Sequence, residues 1–367
     1  MKPIFKILIV VLVLVVAGLT IYLLFSGGGE EVEGVPGTEP EGGPAATETE
    51  TESALKKISD NPVFDFWVNE STKEIFYLTP SGEVFGAKDG SDLEIFGQAM
   101  DALNFIEVGP GGRKILAAFG DPQTPKWGVF DVVDGVWRPL PADITNAAWG
   151  ESDEKLIVTV ESGNDLNLAE ADITKTPPSY RTFVRDFQLK DIKMTYLPEN
   201  RVIISELPSA SYAASLWQLN LKSLVFNLLV APEKGLDISW SDDKKSVFLF
   251  GLDSGLSVLD ENFRTKVPNS YLPVTLPEKC AADASKIYCF VPQNIPADVS
   301  LSDDYLTKKF FSVDDLVILE IDSEEIAEII QSDTASVPAI DAKNPRVSGD
   351  KLYFINRYDN YLYKISL

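Results

Sequence analysis

The sequence predicts an all-β protein, a β-propeller of seven blades with four strands each, on two observations. The first is a turn-and-strand unit, best formed at Trp240-Ser241-Asp242-Asp243-Lys244-Lys245-Ser246-Val247-Phe248-Leu249. Asp and Ser favour a tight turn there because their side chains bond to nearby backbone. The run after the turn is β-branched and aromatic, which suits a pleated surface. The second observation is recurrence. Weaker copies are anchored at Trp67, Val108, Trp149, Tyr196, Cys280 and Val347, so that with Trp240 the spacings are 41, 41, 47, 44, 40 and 67 residues. A period of about 40–47 residues with room for four short strands marks a propeller. A β-sandwich would not repeat one turn chemistry seven times. The imperfect copies also leave six or eight blades compatible with the spacing.

Taken in order, the chain opens with Lys2 and Lys6 and then nineteen residues, Ile7 to Phe25, without a charge. At about 1.5 Å per residue this run just spans a hydrocarbon core. It is longer than the apolar core of a cleaved signal, and Phe25-Ser26-Gly27-Gly28 is a poor cleavage site. Residues 1–25 are therefore expected to be an uncleaved transmembrane signal anchor, lying in the membrane through residues 4–25. Cations before the span and acids after it place the N-terminus in the cytoplasm and the rest of a single-pass protein outside. Residues 26–53 are Gly, Glu, Pro and Thr, with eight glutamates and no base. They can form no core and are expected to be a disordered acidic linker. The propeller is assigned residues 54–367.

Within it, blade one is expected over about 63–96, with strands near 63–67, 74–79, 83–87 and 93–97. Blade two follows over 103–139, blade three over 145–184, blade four over 187–230 and blade five over 236–267. Blade six begins near Val274 and is interrupted by Pro292–Ser312 before the apolar Leu316–Ile321. Blade seven, 345–367, shows only three strands. Its fourth is expected from Leu55–Ile58 pairing with Tyr361–Ile365, which removes the open edge that a ring must close.

Trp240–Leu249 resembles the W-S-P-D-G-K-hydrophobic unit of TolB-like, WD40-like (PD40-type) propeller repeats. The same unit occurs in the propeller domains of prolyl oligopeptidase and dipeptidyl peptidase IV relatives. The resemblance covers roughly residues 55–367 and implies the fold, not a reaction. Asp242 stands where the repeat has Pro, and four of the seven units lack the Trp.

Composition narrows the chemistry. The chain of 367 residues carries a formal net charge of −24, against nucleic acid as a partner, which needs Lys/Arg clusters. There is no His, so Ser-His-Asp and Cys-His nucleophile systems are excluded and zinc sites nearly so. The propeller takes up the whole length after the linker, leaving no room for a hydrolase domain, and no G-x-S-x-G occurs. Ser241-x-x-Lys244 matches a Ser–Lys nucleophile spacing, but that chemistry needs a helix and this stretch is a turn. Gly109-Pro110-Gly111-Gly112-Arg113-Lys114 lacks the following helix of a phosphate loop. Paired acids at Asp242-Asp243, Asp303-Asp304 and Asp314-Asp315 are read as solvated turns. No cofactor or metal is expected.

Two sites remain. Cys280 and Cys289 fall on neighbouring strands of one hairpin, close enough for a disulfide that would persist outside the cytoplasm; the alternative is two buried thiols. The interruption Pro292–Ser312 carries Tyr305, Phe310 and Phe311, aromatics of the kind that anchor interfaces. The alternative is that they cover the edge of blade six. The leading functional expectation is an extracytoplasmic binding or scaffolding module of the cell envelope with a protein partner. The second is an envelope carbohydrate-active enzyme working through channel carboxylates, since glycoside chemistry needs two carboxylates and no His.

Overall fold

Seven antiparallel sheets of four strands follow one another along the chain. The computed structural model describes residues 55–367 except 70, 89, 90, 101, 324, 335 and 336. The expected anchor and linker lie outside the described residues. Among those described, no helix is long and apolar enough to cross a membrane.

Blade one is β2 (Asp65–Val68), β3 (Ile75–Leu78), β4 (Val84–Ala87) and β5 (Leu93–Phe96). Blade two is β6 (Leu103–Val108), β7 (Lys114–Phe119), β8 (Lys126–Asp131) and β9 (Val136–Pro139). Blade three is β10 (Ile144–Trp149), β11 (Lys155–Ser162), β12 (Asp165–Asp172) and β13 (Ser179–Val184). Blade four is β14 (Ile192–Leu197), β15 (Arg201–Glu206), β16 (Ala213–Asn220) and β17 (Phe226–Lys234). Blade five is β18 (Asp237–Trp240), β19 (Ser246–Gly251), β20 (Gly255–Asp260) and β21 (Thr265–Val267). Blade six is β22 (Cys280–Ala282), β23 (Lys286–Pro292), β24 (Asp314–Glu320) and β25 (Ile326–Ile330). Blade seven is β26 (Ala342–Ser348), β27 (Lys351–Asn356), β28 (Tyr361–Ser366) and, from the other end of the chain, β1 (Leu55–Lys57).

The closure matches the expectation in register. Leu55 pairs with Ile365, Lys56 with Lys364 and Lys57 with Tyr363. The first strands of blades two, three and four touch in turn, as do those of blades six, seven and one, so first strands form the inner wall and fourth strands the rim. Apolar clusters bridge successive blades. Trp67 and Leu78 of blade one pack on Ile115 and Phe130 of blade two. Phe66 and Tyr77 pack on Tyr353, Ile355 and Leu362 of blade seven, which seals the ring.

Two faces follow from the topology. Hairpins joining first to second and third to fourth strands lie on one, here the turn face. Links between blades and second-to-third connections lie on the other, the link face. Leu55 and Leu367 are both at the turn face, because β1 starts opposite the end of β28 and Leu367 N–H donates to Asp350 O in the last hairpin at 2.8 Å.

Blade six differs from the expectation. Its first strand begins at Cys280, later than Val274, because a 3-10 turn, Pro277–Lys279, enters first. The interruption is not irregular throughout: it contains a helix, α1 (Leu301–Leu306). Asp304 accepts the N–H of Ser300 at 2.8 Å, a side chain reaching back to the residue before the helix.

Candidate functional site

The repeat turn of blade five sits at the turn-face mouth of the central channel. Ser241 is buried; its Oγ accepts the Ser246 N–H at 2.9 Å and donates to Asp243 Oδ1 at 2.7 Å. Lys244 takes φ 57°, the left-handed conformation that glycine adopts at least cost. Its Nζ donates to Tyr196 O of blade four at 3.2 Å, so Ser241 and Lys244 do not face each other as a nucleophile and base. Asp242 is ion-paired with Arg346 of blade seven, reaching past blade six. The turn that dominates the sequence therefore braces the mouth of the channel.

The first strands enclose a cavity of about 1960 Å³, lined on the turn face by Lys73, Glu151, Asp242 and Arg346 and on the link face by blades two to four through Phe105, Leu140, Leu189 and Leu207. Glu107 lines it near the turn face. Its Oε2 accepts the Trp149 N–H at 3.0 Å, and its backbone O accepts the Trp149 indole N–H at 2.8 Å. A Cβ on Gly109 would stand 3.1 Å from the Trp149 ring, which explains the glycine in that turn. Burial pushes the Glu107 carboxyl from the ordinary 4.5 up to about 7, against the pull of Lys244. The neutral carboxyl thus favours the folded state fully below about pH 4.5, and that contribution is lost as pH rises through about 7. Glu107→Gln is expected to gain stability relative to the native chain between pH 4.5 and 7 and to hold a constant margin above. Urea midpoints at three pH values test this; a margin independent of pH would exclude it.

A second carboxyl, Glu278, is also raised by burial, with Lys343 opposing the shift. It precedes β22 and so lies toward the link face, whereas Glu107 is one residue from the turn-face end of β6. The two raised carboxyls stand toward opposite faces of the propeller and do not form an acid–base pair. Among the described residues, no cluster of three or more His, Cys, Asp or Glu side chains is arranged to hold a metal.

On the link face, the insertion of blade six spreads over its neighbours. Asp303 accepts the Ala210 N–H of blade four at 2.8 Å. Leu301, Tyr305 and Phe310 pack with Phe250 and Leu276 of blade five and the link that follows it. Beneath them lies a buried charge network. Lys279 Nζ meets Asp341 at 2.7 Å, Ser312 Oγ at 2.9 Å and Asp314. Arg357 meets Asp341 at 3.0 Å, donates to Tyr305 O at 3.0 Å and lies 3.7 Å from the Tyr305 ring centroid. Two cations offset two carboxylates, although burial still pushes the Asp314 carboxyl up against Lys279.

Of the three aromatics expected to anchor a partner, Tyr305 and Phe310 are buried at 3% and 9% exposure, so they hold the insertion down. Phe311 is 41% exposed and stacks with Tyr358 at 6.0 Å between ring centroids. Cys280 and Cys289 are directly opposed in the β22–β23 ladder and form a disulfide. Alkylation without reduction is expected to label neither; mass spectrometry finding both modified would show the bond absent.

No family model matches the chain, and no curated protein matches it. Solved structures do. The propeller domain of Myceliophteria thermophila Cps50 (Swd1) is similar with a TM-score of 0.52 at 10% identity, covering 85% of this chain and 99% of that one. A chain of a mitotic checkpoint complex gives 0.51 at 10% identity, covering 92% and 99%. The tricorn protease gives 0.51 at 10% identity; 85% of this chain is covered, but only 34% of the protease. At this identity the likeness concerns the fold alone, and with the seven closed sheets it makes the chain a seven-bladed β-propeller.

Proposed function

We propose that the chain is a TolB-like, membrane-anchored propeller outside the cytoplasm that binds a protein partner through the link face of blades four to seven. The observation that carries this is where exposed apolar side chains fall. The link-face connections of blade four hold Leu207 and Tyr212, at 49% and 79% exposure. Blade five and the link after it add Leu252, Tyr271 and Val274. The insertion adds Leu306 and Phe311, and blade seven Tyr358. Isolated exposed apolar residues are ordinary, whereas a group on one face of adjacent elements marks an interaction site. The insertion is held on this face by the buried charges beneath it, through Ser312 and the Tyr305 carbonyl. Both ends of the propeller are at the turn face, opposite the link face. The apolar run at residues 7–25 and the cation-before, acid-after asymmetry support the anchor and its orientation.

The test is capture from solubilised membranes with the native chain and with Tyr212→Ala plus Phe311→Ala. A partner retained by the first and lost from the second, with equal melting temperatures, is expected. Equal recovery by both would place binding elsewhere.

A further inference from the structure

Lys279, Asp314 and Asp341 bring an amine and two carboxylates together out of reach of solvent. Lys279 Nζ donates to Asp314 Oδ2, to Asp341 Oδ1 at 2.7 Å and to Ser312 Oγ at 2.9 Å. Those three bonds engage every proton of the ammonium. The buried Tyr305 ring covers the amine, its centroid 4.8 Å from Nζ. Asp341 is fixed from its other side, where Oδ2 accepts from Arg357 at 3.0 Å and from the Ser312 N–H at 3.2 Å. Asp314 is fixed by its own N–H, which donates to Ile340 O at 2.7 Å, and by Oδ2, which accepts the Ala342 N–H at 2.9 Å.

One atom in this cluster is left over. Asp314 Oδ1 is buried and has no hydrogen-bond partner. The nearby Ser312 hydroxyl gives its one proton to Asp341 Oδ1 at 3.1 Å. A buried carboxylate oxygen without a donor costs stability, so the site is not finished as an ion pair.

We infer that Lys279 and Asp314 condense into an isopeptide bond, with Asp341 carrying a proton between them. A bond forms from Nζ to the Asp314 carboxyl carbon, and the bond from that carbon to Oδ1 breaks. Of the three protons on Nζ, one moves to Asp314, one passes through Asp341 to the departing oxygen, and one stays on the amide. Oδ1 leaves as water, and Oδ2 becomes the amide oxygen and keeps the Ala342 N–H. Neither an oxidant nor a second substrate enters. An amine already bonded to the carboxyl has little orientational freedom left to lose. Burial pushes the Asp314 carboxyl up against the pull of Lys279, toward the neutral acid whose carbon an amine can attack. The product carries neither charge, so condensation removes the cost of keeping two ions out of water. The linked residues are 35 positions apart. The bond ties the 3-10 turn entering blade six to the start of β24 and closes the insertion with α1 at its root.

Mass spectrometry of the full chain, denatured and with its disulfide reduced, is expected to read one water less than the sequence mass from the observed first residue. A protease digest should contain a branched peptide joining Lys279 to Asp314. Lys279→Arg keeps a cation, but its guanidinium stays charged and does not attack, so this variant is expected at full sequence mass. Asp341→Asn keeps the size and one acceptor oxygen but cannot take the proton, and is expected to remain unlinked. A native chain at full sequence mass overturns the inference whether or not the variants fold. A water missing from Lys279→Arg as well, or missing without the branched peptide, assigns the loss to a cyclised aspartate elsewhere and also overturns it. Linkage of Asp341→Asn to the native extent overturns the proton path through Asp341.

Discussion

Lys279→Met is expected to destabilise the propeller by about 3–5 kcal/mol, the cost of leaving buried carboxylates without their cation. Lys279 is 1% exposed, and Asp314 and Asp341 are fully buried. Arg357 still neutralises Asp341 after the change, so the orphan is Asp314. Its Oδ2 also accepts the Ala342 N–H at 2.9 Å and fixes the start of β26. Adding Asp314→Asn should therefore recover part of the loss: the amide oxygen keeps the bond from Ala342, and the stranded charge disappears. The coupling in that cycle is expected at about 1–3 kcal/mol. Urea unfolding of the native chain, both single variants and the double measures it. Additive losses would show that Lys279 acts by packing over the Tyr305 ring, whose centroid lies 4.8 Å from Nζ, and not by charge.

The blades were legible in the sequence because their signal is local. A polar turn followed by an apolar run needs only neighbouring residues, and each turn bonds itself, as Ser241 does with Ser246. The strands expected for blade one agree with β2 to β5 within two residues. The Cys280–Cys289 register was also readable, since a short hairpin fixes which positions oppose. The charge network was not. Lys279, Asp314, Asp341 and Arg357 are far apart in sequence, each with the look of a surface residue. For the same reason Tyr305 and Phe310 read equally as partner anchors or as cover for blade six: nothing local says that blades five and seven rise to meet them. Helix α1 is six residues long, too short for an apolar period, and only Ser300 followed by Asp303 and Asp304 hinted at its start. Glu107 carries no sequence signal, because its raised affinity for a proton comes from the channel wall.

A chain beginning at residue 61 is expected to melt several degrees below one beginning at residue 54. The difference isolates β1 and the three residues after it. Leu55 packs against the blade six–seven cluster, and Ile58, 8% exposed, fills the blade seven–one cluster. Ile58 N–H donates to Leu362 O at 2.8 Å, and Ser59 Oγ accepts the Leu362 N–H at 3.0 Å. Lys57 Nζ lies 3.9 Å from the centroid of the Tyr361 ring. Burying one such apolar side chain contributes about 1.5–3 kcal/mol, and each net hydrogen bond about 1 kcal/mol. A loss of about 3 kcal/mol in a domain of this size lowers the melting temperature by about 5 °C. Truncation also bares β28, whose Tyr361, Tyr363 and Ile365 alternate with Leu362 and Lys364, as a new edge, so the shorter chain should aggregate on heating where the longer one does not. Scanning calorimetry with light scattering reads both effects. Identical melting curves would mean that the ring is held by blade packing alone and that β1 contributes nothing to its closure.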